Sequence, residues 1–340
     1  MSTYRSDPGL TALLTTVLGG LEAAGEITRL RLLALLAEAE LTVSELVAIL
    51  GQSQPRVSRH LKLLLEAGLV QRHREGAWAF FLLAEGTQPA LLARDIVRHI
   101  DPADPTLAAD RARLAGVRRA RSDLAAAYFA AHAPNWDTIR SLHVAEETVE
   151  KAVLEEVGDG PLHALLDLGT GTGRMLELLA PLADRAVGVD QSPAMLNLAR
   201  TRLERAGLRN IQLRQGDIYA LPLEGAGYDL VIVHQVLHYL DDPGRAIREA
   251  ARALRPGGRL FVIDFAPHAH EFLREEHAHR RLGFATLEIE NYMREAGLET
   301  AAHRQLAPTR RAGDDLTVSV WVGKDPRMLY DAPLQRREFA

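Results

Sequence analysis

At 340 residues, with 47% apolar and 25% charged side chains, the chain has the length for two domains and the composition of a globular protein. The absence of cysteine excludes disulfides, thiolate metal sites and cysteine nucleophiles, and no apolar run approaches the roughly 20 residues of a membrane span. The net charge of −5 hides a neutral first hundred residues carrying a basic patch, since Arg56, Arg59, Lys62, Arg72 and Arg74 stand against only Glu66 within 52–74, a pattern suited to nucleic acid.

The opening MSTYRSDPGL lacks the basic segment and apolar core of a secretory signal, so a cytoplasmic protein with no membrane partner is expected. Helical periodicity starts over 10–20 and resumes over 25–39, where Ile27, Leu30, Leu33 and Leu36 recur at helical spacing. Thr42, with Glu45 three residues on, predicts a capped helix over 42–51 stopped by Gly51. The next helix, 53–68, takes Ser53 as its cap, Pro55 in its first turn and Gly68 as its end. Two strands around a Glu75-Gly76 turn are expected over 69–85, then an amphipathic helix over 88–100.

Helix, helix, short turn, helix, hairpin is the order of a winged helix-turn-helix. In 53–68, Val57, Leu61 and Leu64 form one stripe while Arg56, Arg59 and Lys62 turn away from it, which gives the exposed basic face that a major-groove helix requires. The candidate contacts to double-stranded DNA are Ser53, Gln54, Arg56, Ser58, Arg59, His60 and Lys62 on this helix, with Arg72 and Arg74 of the hairpin along the phosphates or in the minor groove.

The sequence divides into a winged helix over 1–100, a linker helix over 101–125, a larger domain over 126–324 and a tail over 325–340. In the larger domain, strands at 164–168, 186–190, 210–214, 228–233 and 258–265 alternate with helices at 174–182, 193–206 and 243–254. Repeated β-α-β means a parallel sheet with helices on both faces, a doubly wound Rossmann-like α/β fold behind a mainly α winged helix.

The segment LLDLGTGTGR, Leu165 to Arg174, ends a buried strand in a glycine turn that opens a helix. Gly169, Gly171 and Gly173 let backbone approach a ligand, and Asp190, closing the next strand, can accept hydrogen bonds from ribose hydroxyls. NAD and S-adenosylmethionine (SAM) both fit so far. Asp167 separates them: a carboxylate beside the turn disfavours a pyrophosphate and favours an ammonium and a sulfonium. Asp217, in QGDIYALPL, can bond an adenine amine while Ile218 packs on the ring. Met195 is either a neighbour of the ligand or core.

The run YDLVIVHQVLHYLDDPGRAIREAARALRPGGRLFVIDF resembles the fourth strand, following helix and fifth strand of class I SAM-dependent methyltransferases, and 125–325 is similar to the ubiquinone-biosynthesis type of C-methyltransferase. The resemblance implies methionine-end contacts from Gly169, Thr170, Gly171 and Gly173, ribose contacts from Asp190 and Gln191, adenine contacts from Asp217 and Ile218, and a further contact from His234. It also implies a lid over 128–137, with Tyr128 and Trp136 covering the sulfonium or the acceptor.

TRLRLLALLAEAELTVSELVAILGQSQPRVSRHLKLLLEAGLVQRHREG resembles the dimeric winged helix of ArsR-type transcription factors. Many members carry metal-sensing cysteines where Thr42 and Ser44 stand here, and hydroxyls cannot replace thiolates for a soft metal. Leu65 stands where the family often has a basic residue.

The combination implies a homodimeric regulator of operator DNA whose second domain senses SAM or its demethylated product S-adenosylhomocysteine (SAH). An active SAM-dependent methyltransferase of a small-molecule acceptor that also regulates its own operon is the alternative, with His234, His238 and Tyr239 as candidate acid–base groups. A third possibility is zinc held by His268, His270, His277 and His279 among Glu271, Glu275 and Glu276; a solvated His/Glu segment is the commoner outcome, and no metal is expected.

Overall fold

The computed structural model describes residues 14–75, 78–84, 86–133, 136, 146–158, 160–221, 227–307 and 316–327. The chain forms two compact units, Met1–Leu124 and Ala125–Ala340. Among the described residues no helix is long and apolar enough to cross a membrane.

The first unit contains α1 (Leu14–Ala24), α2 (Ile27–Glu38), β1 (Leu41–Thr42), α3 (Val43–Leu50), α4 (Gln54–Glu66), β2 (Val70–Glu75), β3 (Trp78–Leu83) and α5 (Gln88–Arg98), followed by α6 (Pro105–His132), which runs on past the unit's end. α3 starts as the spacing dictates. Thr42 and Glu45 form a reciprocal capping box, and Gly51 ends the helix at φ 66°. α4 differs from expectation: Ser53 occupies the N-cap but its side chain makes no capping hydrogen bond, which leaves the start to Pro55 in the first turn. Val57, Leu61 and Leu64 are buried in a core shared with Leu33, Leu46 and Ile49, at about 1.5–3 kcal/mol for each large side chain taken out of water.

β2 and β3 pair from Val70↔Leu83 to Glu75↔Trp78. A two-residue strand the sequence does not announce, β1, adds to β3 through Leu41↔Phe81. The stretch expected as a linker helix packs on the winged helix. Leu107 and Leu114 of α6 are buried, and Arg31 grips the buried Asp110 with two hydrogen bonds of 2.6 and 2.7 Å. Arg121 Nε donates to Glu45 Oε1 at 2.8 Å. Burial works against the Glu45 carboxylate, but Arg121 and the Thr42 hydroxyl and N–H outweigh it and hold its pKa below the ordinary value.

The second unit adds α7 (Glu146–Val157), β4 (Leu162–Leu168), α8 (Arg174–Leu179), β5 (Ala183–Asp190), α9 (Pro193–Arg205), β6 (Ile211–Gln215), β7 (Tyr228–His234), α10 (Pro243–Ala253), β8 (Leu254–Phe265), α11 (Phe272–Glu276), α12 (Thr286–Glu295), β9 (Glu299–Leu306) and β10 (Val318–Lys324). They build one seven-stranded sheet in the order β6-β5-β4-β7-β8-β10-β9. The β4–β5, β4–β7, β5–β6 and β7–β8 pairs are parallel, as expected. Two strands beyond the five expected extend the far edge, where β10 inserts antiparallel between β8 and β9. The chain order reverses beside β4, so the crevice at the carboxyl ends of β4 and β7 is the topological switch point where such sheets bind ligands. Two buried cores lie on the sheet's two faces, and Met195 belongs to the buried interior.

Candidate functional site

In the first unit the candidate residues stand in water. Ser53, Gln54, Arg56, Ser58, Arg59 and Lys62 of α4 are exposed, as is Arg72 of β2. Lys62 meets Glu66 at 3.7 Å, one helical turn away. His60 does not join this face. It turns toward Glu26, 3.7 Å away, where Glu26 caps α2 by accepting from the Arg29 N–H. Burial first, then Arg29, Arg56 and Arg59, lower its pKa against the pull of Glu26. The Arg74 side chain lies outside the described residues.

In the second unit the candidates converge on the end of β4. Gly169 takes φ 70°, and a Cβ there would stand 2.4 Å from Val236 Cγ2, so backbone and side chain close on each other only with glycine. Thr170 donates its hydroxyl to the buried Asp167 at 2.6 Å. Asp190 Oδ2 accepts from the Gly171 N–H and Oδ1 from the Ser192 N–H, each at 2.8 Å. With the Gln191 N–H also drawn to this carboxylate, backbone engages up to three of its four lone-pair sites, and the remaining capacity suits a hydroxyl. Burial raises the Asp190 pKa, offset in part by the N–H groups of Ser192, Gly171 and Gln191.

Charge decides which ligand fits. Asp167 and Asp190 flank the turn, whereas the adjacent cations are committed: Arg174 to Glu150 at 2.6 Å and Glu177 at 2.9 Å, Arg202 to Thr172 at 2.8 Å. A pyrophosphate meets two carboxylates and engaged guanidiniums there, while a sulfonium and an ammonium are attracted. Around this turn Gln191 and Asp217 are exposed, and Ile218 is half-buried against the core. Asp217 accepts from the Tyr219 N–H at 2.9 Å.

His234 ends β7 half-buried. The side chain that packs on the glycine turn is Val236, which the sequence did not single out. Between them Gln235 sits at φ 53°, a left-handed backbone that a non-glycine side chain rarely adopts. Trp136 covers the turn, its Nε1 lying 3.7 Å from where a Gly171 Cβ would stand. Phe129 packs edge-on to both Trp136 (5.2 Å) and Tyr239 (4.8 Å). Tyr128 hydrogen-bonds His277 Nδ1 at 2.8 Å, and burial pushes its pKa up to about 12. Of the expected lid, residues 134, 135 and 137 lie outside the described residues.

His238 is no ordinary surface residue. It is 1% exposed, and its Nδ1 lies 2.7 Å from Asp264 Oδ1. Tyr239 packs on it at 4.1 Å, and burial raises the Tyr239 pKa well above its ordinary value. Asp264, a lone acid inside the apolar run LFVIDF, was the missed signal. The histidines weighed for zinc spread into ring contacts, His279 on Phe265 and His277 on Tyr128. No group of three or more metal-binding side chains occurs among the described residues.

Comparison with known proteins finds two families in separate stretches of the chain. Residues 27–72 match the bacterial regulatory protein arsR family, and 166–262 match the methyltransferase domain. An uncharacterised 37.1 kDa protein of transposon TN4556 from Streptomyces fradiae is 38% identical over 35% of this chain and 34% of its own length. A demethylmenaquinone methyltransferase from Thermus thermophilus is 38% identical over 30% of this chain and 47% of its own. The chain thus spans between a third and a half of the length of these relatives. Among solved structures, the Bacillus subtilis YcgJ protein superposes with a TM-score of 0.46 at 18% identity, over 54% of this chain and 100% of that one.

Proposed function

From a chain that joins an ArsR-type winged helix-turn-helix to a class I methyltransferase-like fold, we propose a cytoplasmic, dimeric DNA-binding regulator, acting as a repressor, whose second unit takes up SAM or SAH as its effector. One observation carries the regulatory part. Helix α6 contributes to both units: Arg121 holds the capping box of α3, and Tyr128 and Phe129, further along the same helix, belong to the aromatic cover of the glycine turn. An effector shifts operator affinity only if it binds two protein states unequally. Gain or loss of the methyl group changes both charge and volume beneath that cover.

The two-fold grip is supported by α1, where Leu14, Val17, Leu18 and Leu21 form an outward apolar stripe at helical spacing, 36–83% exposed. A second copy of this helix is its proposed partner. α4 then presents Arg56 and Arg59 to two half-sites of one duplex.

The test is titration of operator DNA with the full chain alone, with SAM and with SAH. A shift of at least fivefold with either metabolite is expected. Unchanged operator affinity while calorimetry shows the metabolite bound defeats the effector role. Methyl transfer to a small acceptor is the second reading, favoured by the buried His238–Asp264 pair. Tyr239, held protonated by burial, is the weaker base, and His234 is left as a ligand contact.

A further inference from the structure

Two imidazoles of the second unit, His238 buried and His268 half-buried, carry opposite hydrogen-bonding capacity on ring nitrogens that are themselves buried. Asp264 accepts from the His238 N–H (3.3 Å) and from the Phe265 N–H (2.8 Å), so both its oxygens face donors, and His238 Nδ1 is assigned as the third donor to it. The His238 lone pair is therefore on Nε2, which is buried and has no hydrogen-bond partner among the described residues. His268 is the converse. Its Nδ1 accepts the backbone N–H of His270 at 3.3 Å, so its proton sits on Nε2, which is likewise buried and unpartnered. Both rings pack on Phe265, with centroids 5.1 and 6.0 Å from it. Burial, then the charges of His270 and His238, lower the His268 pKa to about 4, which keeps the ring neutral.

An orphaned acceptor and an orphaned donor against one aromatic ring form a complement to a hydroxyl. We propose that this site takes an aromatic acceptor bearing a hydroxyl group, with His238 Nε2 receiving the hydroxyl proton and His268 Nε2–H donating to the same oxygen. The inference rests on the second unit binding SAM. In the resulting O-methyl transfer the acceptor oxygen forms its bond to the methyl carbon as the sulfur–methyl bond breaks. The electron pair of that bond stays on sulfur, giving SAH, and the hydroxyl proton becomes the Nε2–H of an imidazolium facing Asp264. His238 is then the catalytic base, and Asp264 is a positioning residue that fixes its tautomer, the arrangement by which a carboxylate orients a basic imidazole.

The acceptor is aromatic because of what encloses the nitrogen. The rings of Tyr239 and His279 lie 4.1 Å from that of His238. A flat ring can exchange with such contacts face for face, whereas a saturated alcohol would trade stacking for poorer packing.

The same pair also ties backbone together, since the His238 carbonyl accepts from the N–H groups of Arg280 and Arg281, so the experiment must separate recognition from scaffolding. Catechol and its dimethyl ether are titrated calorimetrically into the full chain saturated with SAH. Catechol is expected to bind at least tenfold more tightly than the ether, which offers neither the proton nor the same access to the oxygen. Equal binding of the two, or no catechol binding by a chain that does take up SAH, overturns the proposal without a mutation. His238→Ala is expected to lower catechol affinity to the level of the ether while leaving SAH affinity unchanged. His268→Gln, which keeps a donor, retains catechol binding, and His268→Leu loses it tenfold. With SAM in place, catechol is converted to its monomethyl ether, and His238→Ala lowers kcat at least a hundredfold with partial rescue by added imidazole. Selective binding without methyl transfer overturns the base assignment. A chain that takes up neither SAM nor SAH sinks the parent reading and this one with it.

Discussion

The candidate DNA contacts of the first unit and the candidate acid–base groups of the second lie in opposite places. In the winged helix, Arg56, Arg59 and Lys62 stand outward on α4, and the buried surface of that helix is wholly apolar. In the methyltransferase-like unit the notable polar groups are inside: Asp167 and His238 are 1% exposed and Asp264 is fully buried. A surface that meets a polyanion keeps its charges solvated until contact and releases counterions then. A pocket that sorts small molecules desolvates its polar groups in advance and aims them, because a buried group left unpaired penalises the wrong ligand. The difference teaches where substitutions act: outward residues change affinity with little effect on stability, and inward ones risk both.

The largest effect is expected where the outward rule is violated by the apolar stripe of α1. Leu18→Glu with Leu21→Glu places two charges on that stripe, and operator affinity should fall by roughly 10²–10⁴, the avidity lost when two linked half-sites become single ones. Sedimentation should show monomers with SAH affinity unchanged; retention of dimers would move the partner surface elsewhere.

Next comes Asp190→Ala. It removes the acceptor for Gly171 and Ser192 N–H groups and the proposed ribose contacts. Hydrogen bonds to a charged group contribute about 1.5–3 kcal/mol each, so SAH affinity should fall about a hundredfold by calorimetry while ligand-free operator binding stays as it was. An affinity within threefold of the parent would place the ribose on another residue.

Arg56→Ala and Arg59→Ala should each weaken operator binding about tenfold and lower the salt slope by about one where the contact is to phosphate. SAH affinity should not move. The comparison breaks if either substitution destabilises the chain measurably, since neither side chain is counted in the core.

Much of this outward and inward division is readable from the chain alone, for reasons of distance. The capping box of Thr42 and Glu45, the αL stop at Gly51 and the glycine turn are governed by residues within a few positions of one another, so spacing reveals them. Asp190 is similar, because a residue ending the strand after a glycine turn is brought to that turn by the β-α-β unit. The pairing of His238 with Asp264 is another matter. It spans 26 residues and depends on where β8 ends relative to the turn after β7. His60 was assigned outward because helical periodicity fixes only a direction around α4, while Glu26 at the cap of α2 supplies a partner the sequence does not place there. β9 is illegible because ETAAHRQL lacks the apolar run of a buried strand, whereas VSVWVGK of β10 carries such a run and its antiparallel place beside β8 depends on residues more than fifty positions back.

Arg121→Ala addresses the helix common to both units. Its guanidinium is largely buried on Glu45, so removal should leave SAH affinity and ligand-free operator affinity within about twofold. The change in operator affinity produced by SAH should shrink by about fivefold, the scale of a typical coupling free energy. Full coupling in this variant would take α6 out of the route between the sites.

The smallest effects come from the N-caps of two successive helices, α3 and α4. Thr42 accepts the Glu45 N–H and its own N–H is held by the Glu45 carboxylate, so Thr42→Ala should cost about 0.5–2 kcal/mol in denaturant melts. Ser53 occupies the same position on α4 without a capping bond, so Ser53→Ala should change stability by less than about 0.5 kcal/mol. Because Ser53 is exposed beside Gln54 and Arg56, its hydroxyl is available to a phosphate instead, and operator affinity should fall two- to threefold. A stability loss in Ser53→Ala equal to that in Thr42→Ala would mean that the hydroxyl caps the helix in solution, and Ser53 would then belong with the structural residues and not with the DNA face.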